Sequence, residues 1–154
     1  MKQLIKSVVS LMSALRDVAP LVFRLILAYG FWDTGMKKLG SIDEVAAWFG
    51  NDLGIPFPLV NAYLAALTEV TGTILLTLGL ATRFISIPLM FVMIVAIATV
   101  HWNNGFTCGK NGFEIPFYYF WMLFSLMVGG AGRISVDHLI KSKCCTDPKE
   151  FPPN

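Results

Sequence analysis

The chain has 154 residues, 55% of them hydrophobic and 14% charged, with a net charge of +2 and a mean hydropathy of +0.64. A soluble domain of this size carries charge on about a quarter of its residues, so this little charge cannot cover a water-facing surface and lipid must take its place. The length suits one domain, and the small, scattered positive charge argues against nucleic acid as a partner.

Residues 1–17 read as an amphipathic segment. Leu4, Ile5, Val8, Leu11, Met12 and Leu15 recur on one side of a helix, with Lys2, Lys6 and Ser13 on the other. Such a segment either lies in the membrane interface or leads into the first span. It lacks an uninterrupted apolar core followed by a small-residue cleavage site, so no cleaved signal peptide is expected. Four stretches then approach the roughly 20 apolar residues that a span requires: 18–36, 59–80, 84–101 and 115–131. Arg24 and Asp33 interrupt the first and Glu69 the second, while the last two carry no charge until their ends. Pro20 and Pro116 fall in first turns, where a missing N–H does no harm.

The connections differ in character. Ser41-Ile42-Asp43-Glu44 fits a capping box, and Val45, Ala46, Trp48 and Phe49 continue it as a short interfacial helix in the first outer loop, closed by Gly50-Asn51. Ala81-Thr82-Arg83 leaves room only for a tight hairpin between spans two and three. The segment 102–113 is rich in the turn formers glycine and asparagine. Residues 141–154, with Pro148, Pro152 and Pro153, predict a disordered tail.

Orientation follows from the basic residues. Eight of the twelve fall at one set of ends: Lys2, Lys6, Arg16, Arg83, Arg133, Lys141, Lys143 and Lys149. Lys37, Lys38 and Lys110 fall at the other set, and Arg24 is within a span. The positive-inside bias puts both termini in the cytoplasm. The expected architecture is thus all-α: an integral membrane four-helix bundle, multi-pass in the cell's inner membrane, with both ends inside.

Arg24 and Glu69 are the residues most able to carry chemistry. An ionisable group inside a span costs at least about 2.5 kcal/mol and usually faces the protein interior, paired. Spans one and two run antiparallel, and counting from their ends brings the two residues to within about one turn in depth. A buried Arg24–Glu69 ion pair is the expectation, either fixing the fold or binding a polar headgroup or a quinone carbonyl. His101 ends span three, Glu114 opens span four and Cys108 lies between them, so the three could share one outer mouth. Against this, a lone interfacial histidine is more often an anchor, and no metal site is expected. Met90 and Met93 read as packing. Cys108, Cys144 and Cys145 are too few and too poorly spaced for a disulfide framework. The Cys144-Cys145 pair reads as a reduced, exposed tail.

The ordered fragments Arg24-Leu25, Gly30-Phe31 and Gly35-Met36-Lys37-Lys38-Leu39 are followed by Glu69-Val70-Thr71-Gly72 and Leu78-Gly79-Leu80-Ala81-Thr82-Arg83. Asn111-Gly112-Phe113-Glu114 and Gly130-Ala131-Gly132-Arg133-Ile134-Ser135-Val136-Asp137 complete the set. Together they resemble the DoxX family of small membrane proteins across nearly all of 18–140. The sequence departs from the family pattern at Thr73, where many relatives have a second glycine. The resemblance implies a four-helix membrane domain over 18–140 and a subunit of a redox system. Its cofactor would be a quinone or would belong to a partner redox protein, since no flavin, haem or iron–sulfur motif is present. The alternatives are a non-catalytic scaffold that anchors a partner, and a small transporter or metal-handling protein that uses His101, Cys108 and Glu114.

Overall fold

A computed structural model describes residues 17–144. All but the last residue of the amphipathic segment expected over 1–17, and most of the tail expected over 141–154, lie outside them. The described chain is helical, in the order α1 (Val18–Gly40), α2 (Ile42–Asn51), α3 (Pro58–Leu78), α4 (Thr82–Ala96), α5 (Glu114–Gly129) and α6 (Val136–Cys144). Helix α4 runs on through a π-turn, Ile97–His101, and a 3₁₀ turn, Trp102–Asn104. Among the described residues, two stretches are long and apolar enough to cross a membrane, Pro58–Leu78 and Thr82–Asn104. Helix α1 is long but interrupted by charge, and α5 is 16 residues.

The four long helices share one core. It is built from Leu27, Ala28 and Phe31 of α1, Leu76 of α3, Leu89 and Met93 of α4, and Leu123 and Leu126 of α5. Helix α2 lies against the start of α3 through Ala46, Phe49 and Ala62. Small residues let α1 and α3 approach closely: a Cβ on Gly35 would stand 2.9 Å from Val70 Cγ2 and 3.1 Å from Glu69 Cβ. The faces turned away from the core are also apolar. Tyr29 and Trp32 of α1, Leu64 and Ile74 of α3, Phe84 and Phe91 of α4, and Trp121 and Val128 of α5 are all exposed. Helices that are apolar on every side belong in an apolar solvent.

The structure adjusts several boundaries. Helix α1 continues past Met36 to Gly40, because Met36, Lys37 and Lys38 are good helix formers and no breaker intervenes. The short helix after it forms as expected, but the capping box does not. Ser41 Oγ turns back to donate to the carbonyl of Lys37 at 3.2 Å, and no side chain caps α2. Helix α3 stops at Leu78 in a Schellman motif: Gly79 takes the left-handed conformation at φ +66°, its N–H reaching Leu76 O, and Leu80 N–H reaches Leu75 O. The hairpin is therefore Gly79-Leu80-Ala81, a few residues earlier than expected. Helix α6 has no counterpart in the sequence reading, and it carries helical structure into residues 141–144, where the tail was expected to begin.

Candidate functional site

Arg24 is 2% exposed, and four of its five guanidinium N–H groups are accounted for by backbone carbonyls. Nε donates to Leu76 O at 2.8 Å and Nη2 to Thr77 O at 3.2 Å. Nη1 donates to Ala131 O and to Ile134 O, both at 2.8 Å. Leu76 and Thr77 belong to the last turn of α3, whose carbonyls lack the i+4 N–H partners of the helix interior and carry the negative end of the helix dipole. The guanidinium therefore caps α3 and ties it to the 131–134 connection. Asp137 completes this end of the molecule: its carboxylate accepts the N–H groups of Ala81 at 2.8 Å and Thr82 at 3.1 Å, at the start of α4. Gly79 is packed beneath the guanidinium, and a Cβ there would stand 2.7 Å from Arg24 Cζ and from Ser135 Cβ.

Glu69 is 1% exposed and sits further along the α1–α3 seam. Its Oε1 forms an ion pair with the Lys38 ammonium, and its Oε2 accepts the Thr34 hydroxyl at 2.9 Å. Thr34 and Lys38 are one helical turn apart, so α1 presents both to the same carboxylate. The Lys38 side chain is 23% exposed, which leaves the cluster one edge open to its surroundings. Thr73 supports Glu69 from behind. Its buried hydroxyl lies 3.0 Å from Glu69 O and 3.3 Å from Ala28 O, so Thr73 supplies a hydrogen-bonding group between the helices.

The expected Arg24–Glu69 pair does not form. Both residues are buried in the α1–α3 seam, but each has its own partners. Two causes combine. With Arg24 opposite Leu76 and Thr34 opposite Glu69, the register places Arg24 and Glu69 about seven residues apart, roughly 10 Å along the axis. Side chains also lean toward the N-terminus of their own helix. In this antiparallel pair, Arg24 leans toward the α3–α4 turn and Glu69 toward the opposite end, so the two diverge. Lys38 and Thr34 are the residues that sequence reasoning missed. In the sequence Lys38 reads as a flanking charge, and only its spacing from Thr34 hints at a shared face.

At the opposite end, the three residues expected at an outer mouth share one loop without meeting as a cluster. The Glu114 carboxylate accepts the backbone N–H of Cys108 at 2.8 Å and the Tyr118 hydroxyl at 3.3 Å. His101 Nδ1 lies 2.8 Å from Asn111 O. Among the described residues, no three His, Cys, Asp or Glu side chains come together as a metal-binding group. Met93 is buried in the core and Met90 packs against it, as expected of methionines at helical spacing.

The fragments that carry the resemblance thus build the structure: Arg24, the Gly79 turn and the Ala131–Asp137 connection form one interlocked end. The family model for DoxX matches residues 19–102. The chain belongs to the DoxX family. Among similar proteins, an uncharacterized protein of Haemophilus influenzae is 31% identical over 131 residues, covering 80% of this chain and 84% of that protein. The Escherichia coli "Inner membrane protein YphA" is 28% identical over 134 residues, covering 80% of this chain and 91% of that protein. A Bacillus subtilis protein named "Putative oxidoreductase CatD" is 31% identical over 84 residues, 54% of this chain and 60% of that protein. No solved structure gives a significant match. This DoxX-family chain is a membrane protein.

Proposed function

We propose that the chain is a membrane subunit of a redox system, with Glu69, Lys38 and Thr34 as its polar working site. The observation that carries this reading is the buried Glu69 carboxylate held by a half-open lysine within the helical layer. Ionisable residues at such depth mark functional sites by default. The likeness to a relative named as an oxidoreductase points the same way. Lys38 spends one of its three donors on Glu69, so a second can reach a quinone carbonyl at the open edge, and Glu69 can hold or pass a proton there. A quinone would supply the two-electron acceptor chemistry, with electrons delivered by a partner redox protein.

In the same reading, α1, α3, α4 and α5 are the four spans of a bundle in the inner membrane, with both termini cytoplasmic. The exposed apolar faces of all four helices and the bias of basic residues toward the Arg24 end support it. Cys108 is exposed on the loop opposite that end. It should react with a membrane-impermeant thiol reagent applied to intact cells. Labelling only after the membrane is opened would reverse the orientation.

The functional test replaces Lys38 with Met and Glu69 with Leu together. Apolar replacements of similar volume are often tolerated where a buried ion pair stood. Electron transfer or growth is measured under a condition in which deletion of the gene has a phenotype, alongside the level of inserted protein. The expected result is loss of function at normal protein level. Full function in a well-inserted double variant would overturn the redox reading in favour of a scaffold that anchors a partner.

A further inference from the structure

We infer that α6 is a docking surface for the anionic phospholipids of the bilayer, its apolar side chains entering the interface and the cations around it meeting lipid phosphates. Helix α6 is attached to the remainder of the protein through its first turn. The Asp137 carboxylate accepts the Ala81 and Thr82 N–H groups, and Asp137 N–H donates to Gly79 O at 3.0 Å. Beyond that turn its apolar residues are uncovered: Leu139 is 59% and Ile140 48% exposed, and Ile134 just before the helix is 56% exposed. These side chains stand at the end of the molecule where the lipid-facing surfaces of α1, α3, α4 and α5 terminate, so the apolar patch continues that belt.

Charge selects the lipid. Arg83, Arg133, Lys141 and Lys143 are exposed at this end. Its described carboxylates are Asp17 and Asp137, and both are engaged by backbone N–H groups, Asp17 by that of Arg133 at 3.1 Å. Asp17 also holds the Arg133 side chain at 3.5 Å. Among the described residues, Arg83, Lys141 and Lys143 have no ion-pair partner. A short helix with an uncovered apolar side and surplus cations matches an interface of anionic headgroups over acyl chains. Long lysine stems lie along the apolar layer while their ammonium groups reach the phosphates.

The test uses the full chain in lipid nanodiscs, of phosphatidylcholine alone or with phosphatidylglycerol, and follows amide hydrogen exchange over residues 138–144. Exchange should slow about tenfold or more when phosphatidylglycerol is present at low salt, and the difference should shrink at about 0.5 M salt. The triple change Arg83→Gln, Lys141→Gln and Lys143→Gln should remove the difference, because these cations carry the attraction to the anionic headgroups. Exchange in the core of α3 and α4 reports that the variant is folded and should not change. Equal exchange in both lipids, or a difference that survives the triple change, would overturn the proposal. No outcome depends on redox activity, so this result stands apart from the test of the Glu69 site.

Discussion

Arg24 and Glu69 are equally buried, yet the protein treats the two charges differently. Arg24 is surrounded by backbone: four carbonyls from two segments, fixed in place by the helix and connection that own them. Glu69 is held by side chains, a lysine and a threonine, with one edge of the cluster open. A charge clasped by backbone carbonyls through four of its five N–H groups has little to offer a ligand and serves to lock the chain. A charge clasped by a lysine that is itself partly exposed can exchange partners and protons. The contrast assigns architecture to one end of the seam and chemistry to the other.

The largest effect is expected where the backbone depends on a side chain. Arg24→Leu would orphan the carbonyls of Thr77, Ala131 and Ile134 and leave Leu76 O with the Gly79 N–H alone. At about 1–3 kcal/mol for each unsatisfied group, destabilisation should exceed about 3 kcal/mol, measured by unfolding in detergent or bicelles. Arg24→Lys should recover only part of this, since one ammonium cannot match a fork that spans two segments. If Arg24→Leu unfolded like the parent, the lock would have to lie elsewhere. Gly79→Ala sharpens the same point at smaller size. The left-handed backbone costs a non-glycine residue about 1 kcal/mol or more, and the added Cβ would press on the guanidinium and on Ser135. The expected loss is about 1–3 kcal/mol. In the Arg24→Leu background the part due to the guanidinium contact should vanish, leaving the backbone cost.

The helices themselves were legible in the sequence. Apolar runs with interrupting charges located α1, α3, α4 and α5, and the Ser41–Asn51 pattern located α2. Arg24 and Glu69 were recognisable as buried because nothing else could shelter them. Their partners were not, for two physical reasons. Every residue carries a carbonyl, so acceptors such as Leu76 O and Ile134 O leave no mark in the side-chain pattern. Register between two helices depends on where each one stops, and the extension of α1 from Met36 to Gly40 carried Lys38 onto the helical face that meets Glu69. Helix α6 was hidden because its few apolar residues lack core partners, and its anchor is one carboxylate, Asp137, reaching the start of another helix.

The separation of the two sites is tested most directly by paired double-mutant cycles in the same membrane mimetic, one on Lys38→Met with Glu69→Leu and one on Arg24→Leu with Glu69→Leu. The single changes at Lys38 and Glu69 each leave a partner unsatisfied, so their double should be more stable than the sum of the singles by about 1 kcal/mol or more. Arg24 and Glu69 share no hydrogen-bond partner, so their changes should add to within about 0.5 kcal/mol. A large coupling between Arg24 and Glu69, with none between Lys38 and Glu69, would contradict the division of the seam into a lock and a working site.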